Sequence, residues 1–174
     1  MELTIKDLKQ GDVILCHTPL SVFPMGILST LIRIFLGIPY NHVKSVGIHN
    51  GQMMITESDQ HGTHPEELVQ NMQNSKSTKF LVLRFKDPWS EERMAIASRI
   101  LQDTWGKNYG WFLLVKYAFA IITGQPFRSK KARRGQLLVC SHPQAYAFGL
   151  RFWWQWTPKT WYESELFENF KLKI

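Results

Sequence analysis

The chain has 174 residues, 44% of them hydrophobic and 20% charged, enough for one domain with a sizeable core and too apolar for intrinsic disorder. Lys and Arg number 21 against 14 Asp and Glu, a balance of +7, but the run 128–134 (RSKKARR) holds five of those cations, so the basicity is a local cluster. Two cysteines, Cys16 and Cys140, exclude a multi-bridge secreted framework and suit a reducing compartment.

Along the chain, the opening MELTIKDLKQGD lacks the pattern of a secretory leader, and the most apolar window, 20–38, is broken by Pro24 and Arg33. No export signal and no transmembrane helix are expected, and the default location is cytoplasmic. Gly11-Asp12 followed by Val13, Ile14 and Leu15 predicts a buried strand over 12–16. Apolar residues at intervals of three and four over 25–36 predict a short helix ending at Gly37, as core or as a lid over an acyl-binding groove. Asn50-Gly51 between the apolar runs 43–48 and 53–56 predicts a β-hairpin over 43–58. One helical turn is expected at 66–69, a buried strand at 80–85, and a helix capped by Ser90 and running to about Trp105. A largely buried helix at 111–122 leads into a polar loop at 125–136. Then come Cys140 and a helix over 144–150, with a tryptophan-rich arm at 151–161.

A cysteine at or just before a helix N-terminus meets unpaired backbone donors, which favour the thiolate and can serve a developing oxyanion. Cys140 is therefore a candidate nucleophile, against the commoner fate of a buried structural cysteine, which is the reading given to Cys16. His42, just before the first hairpin strand, is a candidate base. Glu57, at the far end of the returning strand, is carried back towards His42 by the hairpin and can orient its ring. On residue types alone, His42 is equally a capped loop histidine and Glu57 a solvated strand end.

The ordered set GDVIL (11–15), NHVKSVGIHNG (41–51), MITES (54–58), GKNY (106–109), VCSHPQAYAFGL (139–150) and TPKTWYESELF (157–167) resembles the permuted papain-like amidases of the YaeF/YiiX type, a branch of the NlpC-type superfamily. In that family the hairpin bearing the His precedes the helix bearing the Cys. The resemblance implies a nucleophile at Cys140, a base at His42 and an orienting polar residue at Glu57. It departs from the family at His142, where a Glu is usual two residues after the Cys, at Lys44-Ser45-Val46, which separate the His-Val pair from its Gly, and at Gly110, where an acid often follows the Tyr. These differences fall on pocket lining and hairpin register.

The expected fold is α+β across one domain, 1–174: a permuted papain-like arrangement in which a small antiparallel sheet (12–16, 43–58, 80–85) packs against the Cys140 helix. The expected function is a thiol-dependent amidase or peptidase acting on a peptide, amide or acyl substrate, with cell-wall peptides leading by resemblance; a wall-directed role would need a phage particle, lysis or another route out. The runner-up is a non-enzymatic protein binding an anionic polymer or membrane surface through Arg128, Lys130, Lys131, Arg133 and Arg134 and the tryptophan arm. A lipid acyl hydrolase or transferase is the further alternative. No specific nucleic-acid partner, no cofactor and no metal are expected. His61 and His64, with Asp59 and Glu57 nearby, lack the helical spacing of a zincin.

Overall fold

The computed structural model describes residues 2–19, 30, 33–110, 113, 116, 119, 123 and 139–174. Seven strands form one mixed sheet: β1 (Glu2–Thr4), β2 (Val13–His17), β3 (His42–His49), β4 (Gln52–Asp59), β5 (Gly62–Glu67), β6 (Lys79–Phe85) and β7 (Phe167–Lys173). Their order is β1-β7-β6-β2-β3-β4-β5; β1 runs parallel to β7 and every other pair is antiparallel. Among the described residues, the helices with both ends in view are α1 (Leu68–Gln73), α2 (Glu91–Gln102), α3 (His142–Ala147) and α4 (Pro158–Tyr162). The architecture is α+β as expected, with a larger sheet than the sequence predicts and one parallel pairing in it.

Alternation along the strands sorts side chains to two faces. Val13, Leu15, Val43, Leu81 and Leu83 pack with Ala97 of α2, Ala145 of α3, Trp161 of α4, and Cys140. Ile14, Cys16, Val46, Ile55 and Val82 pack with Leu68 and Met72 of α1 and with Leu172 of β7. Both faces of β2 are thus covered, which is why Val13 to Cys16 read as an unbroken apolar run and are 0% exposed. Each such side chain contributes roughly 1.5–3 kcal/mol by leaving water. Asp12, just before β2, is buried and accepts two bonds from Arg84 of β6, at 2.8 and 2.7 Å, so the entry to the central strand is tied to its neighbour.

The hairpin forms where Asn50-Gly51 places it. Both residues have positive φ, 49° and 76°, as a two-residue turn matched to strand twist requires. Ser90 accepts from the backbone of Arg93 and caps α2, which ends at Gln102 with turns continuing to Gly106. Gly62–Glu67 form β5, although Gly62 and Pro65 are residue types that favour loops. Pro65 is tolerated because β5 is the outermost strand, where a missing donor costs no ladder bond. α1 begins two residues later than the predicted turn, capped by Glu67, and α3 occupies 142–147 rather than 144–150. The arm at 151–161 contains a 3-10 turn at Trp153–Gln155 and the start of α4.

Of the predicted helix at 25–36, Thr30 and 33–36 are helical, and of that at 111–122, Leu113, Lys116 and Phe119; the rest of both, and the loop at 125–136, lie outside the described residues. Among the described residues no helix is long and apolar enough to cross a membrane.

Candidate functional site

His42 opens β3, so its ring stands at the end of the sheet rather than within a fenced row. Residues two apart on a strand share a face, which puts Lys44 beside it. The register sets Glu57 of β4 directly opposite Lys44, the position from which side chains meet across an antiparallel pair. His42 Nε2 lies 2.9 Å from Glu57 Oε2, with the two side chains 18% and 12% exposed. Cys140 is near enough to the His42 ring to raise its pKa.

Cys140 is 5% exposed and sits in the turn before α3. Ser141 supplies the helix's first boundary and is held from two sides: its hydroxyl donates to the Trp156 carbonyl at 2.6 Å, and the Trp161 indole donates to the Ser141 carbonyl at 3.3 Å. His142 is fully buried, edge-on to Trp153 at 5.8 Å, and burial pushes its pKa down to about 3, so it is neutral at ordinary pH. The turn that carries Cys140 is therefore fastened to the tryptophan arm, and His142 belongs to that fastening.

The charges around the ring favour an imidazolium. Burial works against it, but the bonds to Cys140 and Glu57 and their charges prevail, raising His42 to about 9. Burial likewise opposes the Glu57 carboxylate; the bond to His42, the His42 and Lys44 charges and a bond from Asn71 outweigh it, holding Glu57 well below the usual carboxylate range. Cys16 is a contrast: burial pushes its thiol up to about 12. Tyr109, from the GKNY segment, is raised by burial and then by the nearby Cys140 and Asp59, which places its hydroxyl in the field of the same sulfur.

Of the three residues singled out in the sequence, His42 and Glu57 are in contact, and Cys140 lies near enough to raise the His42 pKa. His61, whose backbone donates to Asp59 Oδ1, stays exposed and apart from them. Lys44 and Asn71 contact Glu57 and were not picked: Lys44 carries a signal in being two residues from His42 on a strand, whereas nothing in the sequence aligns Asn71 with the hairpin. Arg128, Lys130, Lys131, Arg133 and Arg134 lie outside the described residues.

An α+β chain with a hairpin histidine facing a cysteine that precedes a helix is the class these observations define. No family model matches the chain, and no curated protein matches it. Among solved structures it is similar to the crystal structure of the metalloprotein YiiX from Escherichia coli O157:H7, with a TM-score of 0.59 and 12% identity over 92% of this chain and 95% of that one. At that identity the likeness is one of fold: the chain has a YiiX-like fold, the architecture its ordered motifs resemble.

Proposed function

We propose that the chain is a thiol hydrolase of the permuted papain-like type, with Cys140 as nucleophile, His42 as general acid and base, and Glu57 as the orienting carboxylate. The observation that carries this reading is the His42 imidazole with the Glu57 carboxylate at 2.9 Å and the Cys140 thiol near enough to raise its pKa. A His42 held as imidazolium is the natural counter-ion of a thiolate.

The Cys140 sulfur adds to the carbonyl carbon of an amide or ester, and the negative charge moves to the carbonyl oxygen. The intermediate collapses as the bond to the leaving group breaks, and His42 delivers its proton to that amine or alcohol. Water then attacks the thioester while neutral His42 takes its proton. The acid departs, and the thiolate and imidazolium are restored. Glu57 keeps the ring oriented throughout. Peptides of the cell wall are the substrate class that the resemblance favours, lipid acyl groups the next, and the basic run at 128–134 would serve an anionic surface in either case.

A metal-centred reading draws on one group: donor atoms of Glu57, His64 and Glu66 lie within 4.8 Å of one another, and the similar YiiX is a metalloprotein. The donors fit poorly. Both Glu57 oxygens already accept bonds, and the Lys44 ammonium stands 3.2 Å from Oε2, where it would repel a dication.

Alkylation mapping tests the hydrolase. From about pH 5 to about pH 9, iodoacetamide should modify Cys140 selectively and well below the ordinary thiol pKa of about 8.5, leaving Cys16 untouched. His42→Ala should remove that reactivity, and Cys140→Ser should abolish cleavage of acyl-amide and ester substrates. Equal labelling of Cys16, or activity lost to chelator and recovered with zinc, would overturn the assignment.

A further inference from the structure

We infer that Lys44 and Asn71 are positioning residues that lock the Glu57 carboxylate against His42; the inference rests on the hydrolase reading and deepens it.

A glutamate is a loose orienter. It has one more rotatable bond than an aspartate, and holding it in one geometry costs side-chain entropy. Here both of its oxygens are fixed. Oε2 faces His42 Nε2 at 2.9 Å and Lys44 Nζ at 3.2 Å, while Oε1 accepts from Asn71 Nδ2 at 2.8 Å. Lys44 Nζ in turn donates to Asn71 Oδ1 at 2.8 Å, so two hydrogen bonds and one ion pair join Glu57, Lys44 and Asn71 in a ring. Asn71 Nδ2 also reaches Glu66 Oε2 at 2.7 Å, anchoring the ring to β5. The charged and titratable groups around it are His42 and Lys44 from β3, Glu66 and His64 from β5, Cys16 from β2, Cys140, and Glu57 itself.

A lysine only 5% exposed is uncommon, because an ammonium taken out of water must be paired and hydrogen-bonded. Lys44 is paired with Glu57 alone among the described carboxylates. Its three-residue ring also joins three elements: Lys44 lies on β3, Glu57 on β4, and Asn71 on α1, the helix packed on that face. Loss of Lys44 would leave a glutamate with a free torsion and a weaker hold on its charge, and the imidazole would lose its fixed direction.

A double-mutant cycle on Lys44→Met and Glu57→Gln tests this, read by the rate of Cys140 alkylation by iodoacetamide across pH. Lys44→Met should slow alkylation about 10- to 100-fold, the loss expected for one charge-assisted bond. It should also move the acid limb of the profile towards neutral pH, since Glu57 then protonates more readily. In the Glu57→Gln background it should change nothing further. Equal losses in both backgrounds, or an unmoved acid limb, would overturn the inference while leaving the hydrolase standing. A wild-type Cys140 whose reactivity ignores His42→Ala would overturn both. Asn71→Ala, which deletes the second fixing bond without touching β3, provides the same readout if Lys44→Met does not fold.

Discussion

His42 and Glu57 titrate in opposite senses, and that fixes how the fold responds to pH. A carboxyl held below its ordinary 4.5 contributes stability that is present above that pH and lost as pH falls. An imidazole raised from 6.5 to about 9 contributes stability that is complete below 6.5 and lost as pH rises through about 9. The pair should therefore support the fold best between 4.5 and 6.5. Glu57→Gln should flatten the alkaline decline, measured as the urea midpoint from about pH 6 to about pH 9. A decline as steep as in the wild type would mean that His42 draws its charge from elsewhere. The same electrostatics separate the two cysteines. One sulfur sits against an imidazolium; the other, raised to about 12 by burial, is a core atom.

At the level of elements, the strands that announce themselves are those with one unmistakable pattern. The 43–58 hairpin was legible from Asn50-Gly51, and β2 from its apolar run, because turn chemistry and burial on both faces leave marks in the local sequence. β5 was not legible: Gly62 and Pro65 look like loop punctuation, and only its outer position excuses them. β1 is three residues long, and β7 pairs with β6 and β1 across most of the chain, so neither carries a local mark. Gly62 is also needed for packing. Its φ is +100°, and a Cβ there would come 2.7 Å from the Lys107 carbonyl, which accepts from Thr63 and secures the segment leading to Tyr109. Gly62→Ala should cost about 1–3 kcal/mol in urea unfolding. Gly51→Ala, whose Cβ would meet nothing within 4 Å, should cost less. A larger loss at Gly51 would contradict the packing account.

Across the whole molecule, the site depends on parts far apart in sequence that only the folded sheet brings together. The contact of His42 with Glu57 was accessible from the sequence because the two share a hairpin. Lys44, Asn71 and the indole clamp were not, since a lysine beside a histidine or a tryptophan in an arm reads as surface until its partner is known. Trp161 is the hub of that clamp: 0% exposed, packed on Trp156, Phe148 and Phe167, and bonded to the carbonyl of Ser141. Trp161→Ala should cost about 3–5 kcal/mol and weaken selective Cys140 alkylation. A destabilised variant that keeps full thiol selectivity would separate the clamp from the site.

The clamp and the penultimate sheet strand are both encoded downstream of the sulfur they restrain. During synthesis Cys140 leaves the ribosome before Trp161 and β7, so a nascent chain passes through an interval with the Cys140 turn unfastened and the flank of β6 open. In that interval the thiol is exposed to oxidants and electrophiles, and the bare strand to pairing with other chains. Completion of the last strand ends both exposures in one step.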